Sequence, residues 1–468
     1  MSDQSSKNVA LFITTLGAFL TPYMSSAVNI ALPAIGSEFH LGAVSLSWIA
    51  TTFLMAAAIF LVPIGRIADI YGRKRIYTYG VFVYTLAAVF LTVAGSEAQL
   101  LAFRIIEGFG AAMLFGTGVA ILTSVFPPGE RGRALGINLA ATYFGLSMGP
   151  FLGGLLTEHF GWRSVFLVNV PLGILILVLV AWKLKGEWVE ARGEKVDVTG
   201  SMIYGSSLVL VILGLSVLPS LQGIWIILAG LGALVVFVIW ETRTKSPILD
   251  IKLFKGNRVF ALSNAAAFLN YSSTYAVAFF LSLYLQYIKG FSPEGAGALL
   301  LAQPAMQAIF SPFAGRLSDR VEPRIVASAG MALTVFGLAI LSLLGQDSGL
   351  SMVVASLIFL GIGFALFSSP NTNAIMSSVT KKHYGVASGM VGTMRLTGQM
   401  FSQGIAMLAS AVYLGSAQIV PGNYPQFLTA MRTAFMILVV LCTVGIGASL
   451  ARGRSRPKNE EGKREIQR

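Results

Sequence analysis

The feature that most constrains this chain is a set of apolar runs, each about twenty residues long, that recur from Val9 to Leu450. Wound as helix, a run of that length crosses roughly 30 Å of hydrocarbon, and about fourteen such runs can be traced. Backbone groups in lipid find no water, so each run must close its hydrogen bonds within itself. The expected fold is all-α and integral to a membrane. Composition agrees: of 468 residues 55% are hydrophobic and only 11% charged, a balance that excludes a water-soluble domain of this length. Lys7 is the one basic residue before the first run, which is too long for the apolar core of a signal sequence and is expected to be retained.

The formal charge of +13 would suggest nucleic acid in a soluble protein. Here the cations sort by loop instead. Of the 33 Lys and Arg, Arg163, Lys289 and Arg432 fall at one face, Arg104 and Arg395 inside runs, and the rest at the other face or the ends. Positive charge collects on the cytoplasmic side of membrane proteins, so both termini are expected there. The single cysteine, Cys442, excludes an intrachain disulfide, and His40, His159 and His383 form no metal-ligand cluster. No Gly-x-x-x-x-Gly-Lys-Ser/Thr loop is present, so ATP is not expected to drive the chain directly.

The link after the second run reads Gly65-Arg66-Ile67-Ala68-Asp69-Ile70-Tyr71-Gly72-Arg73-Lys74-Arg75. An acid at a helix C-terminus is unfavourable unless a cation or another helix's N-terminus answers it, which makes Arg66 and Arg73 the near candidates for Asp69. Gly315, Arg316 and Asp319 repeat Gly65, Arg66 and Asp69 about 250 residues later, so the chain is expected to consist of two related halves. A charged hinge in each half resembles the link between the second and third helices of the major facilitator superfamily, whose secondary transporters are built from two six-helix bundles.

Further stretches extend the resemblance over nearly the whole chain. Gly145-Leu146-Ser147-Met148-Gly149-Pro150-Phe151-Leu152-Gly153-Gly154 sets glycines four apart before a proline, a groove for a neighbouring backbone, and is similar to the fifth-helix motif of antiporters in that superfamily. Gly161-Trp162-Arg163 through Phe166, Asn169, Pro171 and Gly173 resembles the start of helix six in the fourteen-span drug:proton antiporter branch, as do the entry at Asp197 to Gly200 and the loop from Pro247 to Arg258. The implied architecture is a six-helix bundle over 1–184, charged loops with two inserted helices over 185–258, a second bundle over 259–450 and a basic tail over 451–468, which reads as disordered from Arg452.

Within the fourth run, Arg104 and Glu107 stand three apart and share a face. They form either a structural ion pair or a proton-coupling site. In the branch this chain resembles, the first helix carries an Asp where Met24 stands, so Glu107 is the acid left for coupling. Candidates for a polar and aromatic cavity wall are Met24, Asn29, Met113, Tyr143, Asn270, Tyr271, Gln303, Gln307 and Arg395. Arg395 needs water, substrate, a carboxylate or helix carbonyls to answer its charge. The resemblance further implies that Asp69 meets the start of the helix near Tyr384 and Asp319 that of the helix near Arg133.

The expected function is secondary active transport by alternating access: proton-coupled efflux of drugs, dyes or metabolites across the plasma membrane. A carrier for one lipid or metabolite without proton coupling is the alternative, and a membrane enzyme or sensor a remote one. The expected partners are the lipid bilayer, a small-molecule substrate and protons, with no cofactor, metal or nucleic acid, and the chain is expected to act as a monomer.

Overall fold

The computed structural model describes residues 2–127, 130–244, 246–249, 251–379 and 384–453, with side chains undescribed at 2–6, 132, 252, 319, 384 and 385. Every extended element among them is helical: α1 (Ser2–Phe39), α2 (Ala43–Tyr71), α3 (Arg73–Thr92), α4 (Glu97–Val125), α5 (Arg131–Phe160), α6 (Arg163–Leu167), α7 (Asn169–Lys183), α8 (Val198–Val217), α9 (Leu221–Arg243), α10 (Arg258–Thr274), α11 (Ala276–Leu283), α12 (Pro293–Leu300), α13 (Ala302–Arg320), α14 (Pro323–Leu341), α15 (Leu350–Ser377), α16 (Tyr384–Tyr413) and α17 (Tyr424–Ala451). Loop residues stop and start them by chemistry. Ser96, Asp197, Ser220, Asn257 and Ser292 each accept a hydrogen bond from the backbone N–H three residues on, satisfying a donor that the helix itself leaves free.

Twelve helical segments are long and apolar enough to cross a membrane, with α6–α7 joined into one and α10–α11 into another. Two further segments, α12–α13 and α16, fall short of that hydropathy but pack among the twelve, which accounts for all fourteen runs. Their polar residues explain the shortfall: α13 and α16 hold Gln303, Gln307, Arg395, Gln399 and Gln403.

The packing repeats between halves. In the first, α1 lies on α5, α4 on α2 and α3, and α3 on α7. In the second, α10 lies on α16, α15 on α13 and α14, and α14 on α17. The bundles meet through α5 with α12, α2 with α16 and α1 with α11. Helix α8 covers the seam of α2 and α16, where the Tyr204 hydroxyl donates to the Ala58 carbonyl and Ile212 and Leu215 lie against Gly404. Its partner α9 turns Leu228, Val235 and Val236 outward, as a lipid-facing helix must. One residue of the expected tail belongs to the second bundle instead: Arg452 is buried, donating from Nη1 to Asn371 Oδ1 at 2.6 Å and Ser263 Oγ at 3.1 Å. A charge that finds two neutral acceptors inside the bundle is held there. Residues 454–468 lie outside the described ones.

Candidate functional site

A cavity of about 1160 Å³ lies between the bundles and opens at the face that carries the α2–α3 and α13–α14 links, here called the hinge face. Its wall comes from the hinge-side halves of α1, α2, α4, α5, α15 and α16 together with Tyr271 of α10, and includes Gly65, Asp69, Phe115, Asn138, Tyr143, Asn373, Met376 and Arg395. At its inner end a small space of about 10 Å³ is lined by Thr21, Ser25, Phe53, Phe115, Arg395 and Gln399.

Beyond that point the bundles are shut. The Tyr275 hydroxyl donates to the Ser25 carbonyl at 3.0 Å, Ser282 Oγ to the Asn29 carbonyl at 2.7 Å and Gln286 Nε2 to the Ile30 carbonyl at 3.1 Å. At the far face the Ala43 N–H donates to the Ala417 carbonyl, and His159 Nε2 lies 3.0 Å from a Glu294 oxygen. The Tyr143 hydroxyl also bonds Ser368 Oγ across the bundles.

The fifth helix makes that closure possible. A Cβ on Gly149 would sit 2.6 Å from Ser26 Cβ, and one on Gly153 2.8 Å from the Ala27 carbonyl oxygen. Gly145 meets the Phe19 carbonyl in the same way, so three glycines at one spacing seat α5 on α1. Gly154 instead faces the Pro293 carbonyl of α12, and Gly297 returns the contact to the Pro150 carbonyl. One helix thus fits its own bundle on one side and the opposite bundle on the other.

The first hinge is a charge cluster. Arg73 donates from Nε to Asp69 Oδ1 at 2.8 Å, and from Nη1 to Ser124 Oγ at 2.6 Å, the Ala120 carbonyl and Glu190 Oε1 at 2.7 Å. Arg66 pairs with Glu194 rather than with Asp69. Gly72, at φ 116°, holds the turn in a conformation that a side chain would strain, and the Glu187 carboxylate beside it accepts the N–H groups of Lys74 and Arg75 at the start of α3. Glu187, Glu190 and Glu194 therefore form a strap, reinforced where the N–H groups of Glu190 and Ala191 donate to the Asp69 carbonyl. In the sequence this segment shows only as a charged loop; acids three and four apart facing a basic link were the signal for it. Asp69 answers Arg73 in this state, while the start of the helix near Tyr384 falls beside residues 380–383, outside the described ones, as does the Asp319 side chain. Gly315 and Arg316 hold the matching place at the end of α13.

Comparison with known proteins decides the family. The model of the Major Facilitator Superfamily matches residues 14–262 and 264–468. The chain belongs to the major facilitator superfamily. Among this facilitator's relatives are the multidrug resistance protein Stp of Mycobacterium tuberculosis H37Rv, 32% identical over 86% of this chain and 75% of that one, and the cephamycin export protein CmcT of Amycolatopsis lactamdurans, 33% identical over 89% and 87%. The riboflavin transporter RibZ of Clostridioides difficile is 28% identical over 94% of this chain and 96% of its own. In fold the facilitator is similar to a bacterial homologue of the human lysosomal transporter Spinster, solved inward-facing and unoccupied, with a TM-score of 0.67 at 17% identity over 96% and 97% of the two chains. It is a transporter, not an enzyme.

Of the candidate wall residues in this facilitator, Tyr143, Tyr271 and Arg395 line the cavity. The others pack elsewhere in the hinge-open state. Met24 and Asn270 are buried, Asn29 gives its carbonyl to Ser282, Met113 packs with Ile64, Ala68 and Ile76, and Gln303 and Gln307 lie on α13 outside the wall. Amide and Met side chains fill helix seams as readily as cavities, which is why residue type alone misplaces them. Arg104 and Glu107 lie nearer the far face, outside the wall. Arg104 Nη1 donates to Glu107 Oε2 at 2.6 Å and its Nε to the Ile49 carbonyl at 3.2 Å, with the guanidinium 4.5 Å over the Phe53 ring. Glu107 Oε1 is buried without a hydrogen bond.

Proposed function

We propose that this facilitator exports amphipathic small molecules from the cytoplasm, with protons passing inward as substrate leaves. The observation that carries the reading is the one-sided cavity. The hinge face bears Arg66, Arg73, Lys74 and Arg75, so the positive-inside rule makes it cytoplasmic, and the open state is the one that loads from within. A far face closed by individual hydrogen bonds and close glycine contacts between the bundles suits bundles that rock apart there. The relatives Stp, a multidrug resistance protein, and CmcT, a cephamycin export protein, point the same way by name.

For the proton, the reading uses Glu107. Its unbonded Oε1 offers a place for a proton while Oε2 stays with Arg104. Phe53 is a wall common to the ion pair and the small inner space, so what occupies that space touches the ring on which Arg104 rests. Membrane vesicles turned inside out, with an acid lumen, are expected to accumulate fluorescent dyes only when the facilitator is present and to lose them when a protonophore collapses the gradient. Flux that ignores the gradient would favour an uncoupled carrier; a single-compound substrate range is what the name of the riboflavin transporter RibZ suggests. No flux for any compound would overturn both.

A further inference from the structure

Every charged side chain in the cavity wall but one has a hydrogen-bond partner among the described residues. Asp69 and Glu190 both bind Arg73, and Glu241 Oε2 accepts the Leu249 N–H at 2.9 Å. Among the wall arginines Arg66 is paired with Glu194, Arg73 with its two acids, and Arg131 donates from Nε to the Phe126 carbonyl at 2.7 Å. Arg395, at the inner end, makes no ion pair and no hydrogen bond among the described residues; its guanidinium lies 5.1 Å from the centre of the Phe115 ring. Helix carbonyls do not answer it either.

The ground around Arg395 is aromatic. Tyr143 and Tyr271 stand in the same wall, and both set their rings edge-on to Phe364, at 6.2 and 5.5 Å. Among the described residues no acid of the wall reaches this end of the cavity: Asp69, Glu190 and Glu241 all stand at the mouth. A cationic substrate would therefore bring its charge beside an uncompensated guanidinium, in a partly dry place where like charges repel strongly.

The geometry points to a substrate that is an organic anion carrying a flat aromatic ring system, its negative group on Arg395 and its ring among Phe115, Tyr143 and Tyr271. This rests on the transport reading above and names the chemical class the cavity takes. A planar guanidinium suits such a ligand because it gives two parallel hydrogen bonds to a carboxylate or sulfonate and stacks on rings as well. The aromatic wall favours a ring-bearing anion over the headgroup of an anionic lipid.

Two xanthene dyes of similar size and opposite charge test it: fluorescein, an anion, and rhodamine 123, a cation. The full-length protein in vesicles of neutral lipid is expected to bind and counter-transport fluorescein in preference. Arg395→Gln should weaken fluorescein binding, read by fluorescence polarisation, about tenfold or more, the worth of one charge-assisted bond. Arg395→Lys should keep part of it, and rhodamine 123 should bind no worse in either variant. Preference for rhodamine 123 in the unmodified protein would overturn the anionic class while leaving the transport reading intact. An equal loss of both dyes in Arg395→Gln would also overturn it, assigning Arg395 to the fold. Fluorescein displaced by adding phosphatidylglycerol to the vesicles would show a lipid site instead, and movement of neither dye would fell the transport reading with it.

Discussion

Arg104 and Arg395 pose the same physical problem, a guanidinium inside an apolar helix, and the protein answers it in opposite ways. On insertion scales such a residue costs about 2.5–3.5 kcal/mol at the centre of a span. Arg104 is 1% exposed and has a carboxylate at 2.6 Å, a carbonyl and a ring. Arg395 is half-buried and has a ring alone, with its polar edge at a cavity. The first charge is settled inside one bundle, among α2 and α4. The second is left to water and to whatever enters, on a helix that also touches α2 of the opposite bundle. A charge met within the fold serves stability, and a charge met from outside is available to report occupancy.

The largest effect that can break this comparison is on folding. Glu107→Leu strands Arg104 in a dry seam and is expected to destabilise the protein by about 3–5 kcal/mol, the usual cost of removing one partner of a buried pair. The double variant Arg104→Met with Glu107→Leu should recover most of that, because neither charge is then buried alone. Arg395→Met, by contrast, should leave the melting temperature in detergent nearly unchanged. If Arg395→Met lowers it as far as Glu107→Leu does, the two arginines are both structural and the contrast fails.

What could be read from the chain follows from what repeats and what does not. The 250-residue recurrence of Gly65, Arg66 and Asp69 announced two halves, and glycines at 145, 149 and 153 announced a groove for some neighbouring backbone, which in the structure is that of α1. Arg104 and Arg395 already differed in the sequence, because spacing reveals partners on the same helix and Arg395 has none within a turn. The cavity wall was least legible. In a soluble helix one apolar face marks the core, but here lipid, neighbouring helices and cavity all meet helices whose small and amide residues serve more than one role. Thus Asn264 spends its Nδ2 on the Phe260 carbonyl of its own helix, and Met24 and Asn270 vanish into seams, whereas Thr142 and Asn138, unremarkable in sequence, line the cavity. The strap acids were hidden for a different reason: Glu187, Glu190 and Glu194 find their partners more than a hundred positions away in the chain.

A smaller effect separates two roles for the settled pair. Glu107→Gln keeps shape and hydrogen bonding to Arg104 but abolishes titration. As the proton site, it should lose pH-driven accumulation in inverted vesicles while retaining downhill exchange of the same dye. Retention of wild-type pH dependence would make the pair a fixed strut and move coupling to another acid.

The smallest effect concerns Arg73, which stands between the two extremes. Its side chain is 8% exposed, like a buried charge, yet its partners reach it from solvent: Glu190 is 63% exposed and Asp69 32%. Exposed carboxylates contribute only about 0.2–1 kcal/mol each, because water competes for them and salt screens them. The strap should therefore bias the resting conformation without deciding whether the protein folds. Glu190→Gln with Glu194→Gln releases Arg73 and Arg66 from the segment between α7 and α8, while Asp69 still holds Arg73. The expected result is an unchanged melting temperature and a several-fold shift in the balance of open and closed hinge faces, read as the accessibility of a cysteine placed at Asn373, which lines the cavity. Raising ionic strength toward 1 M should produce the same shift in the unmodified protein and leave the variant where it was, since the Debye length then falls to about 3 Å. A loss of folding as large as that of Glu107→Leu would mean that burial of the partner is not what distinguishes Arg104 from the other arginines. No shift at low salt would mean that the strap follows the hinge and does not restrain it.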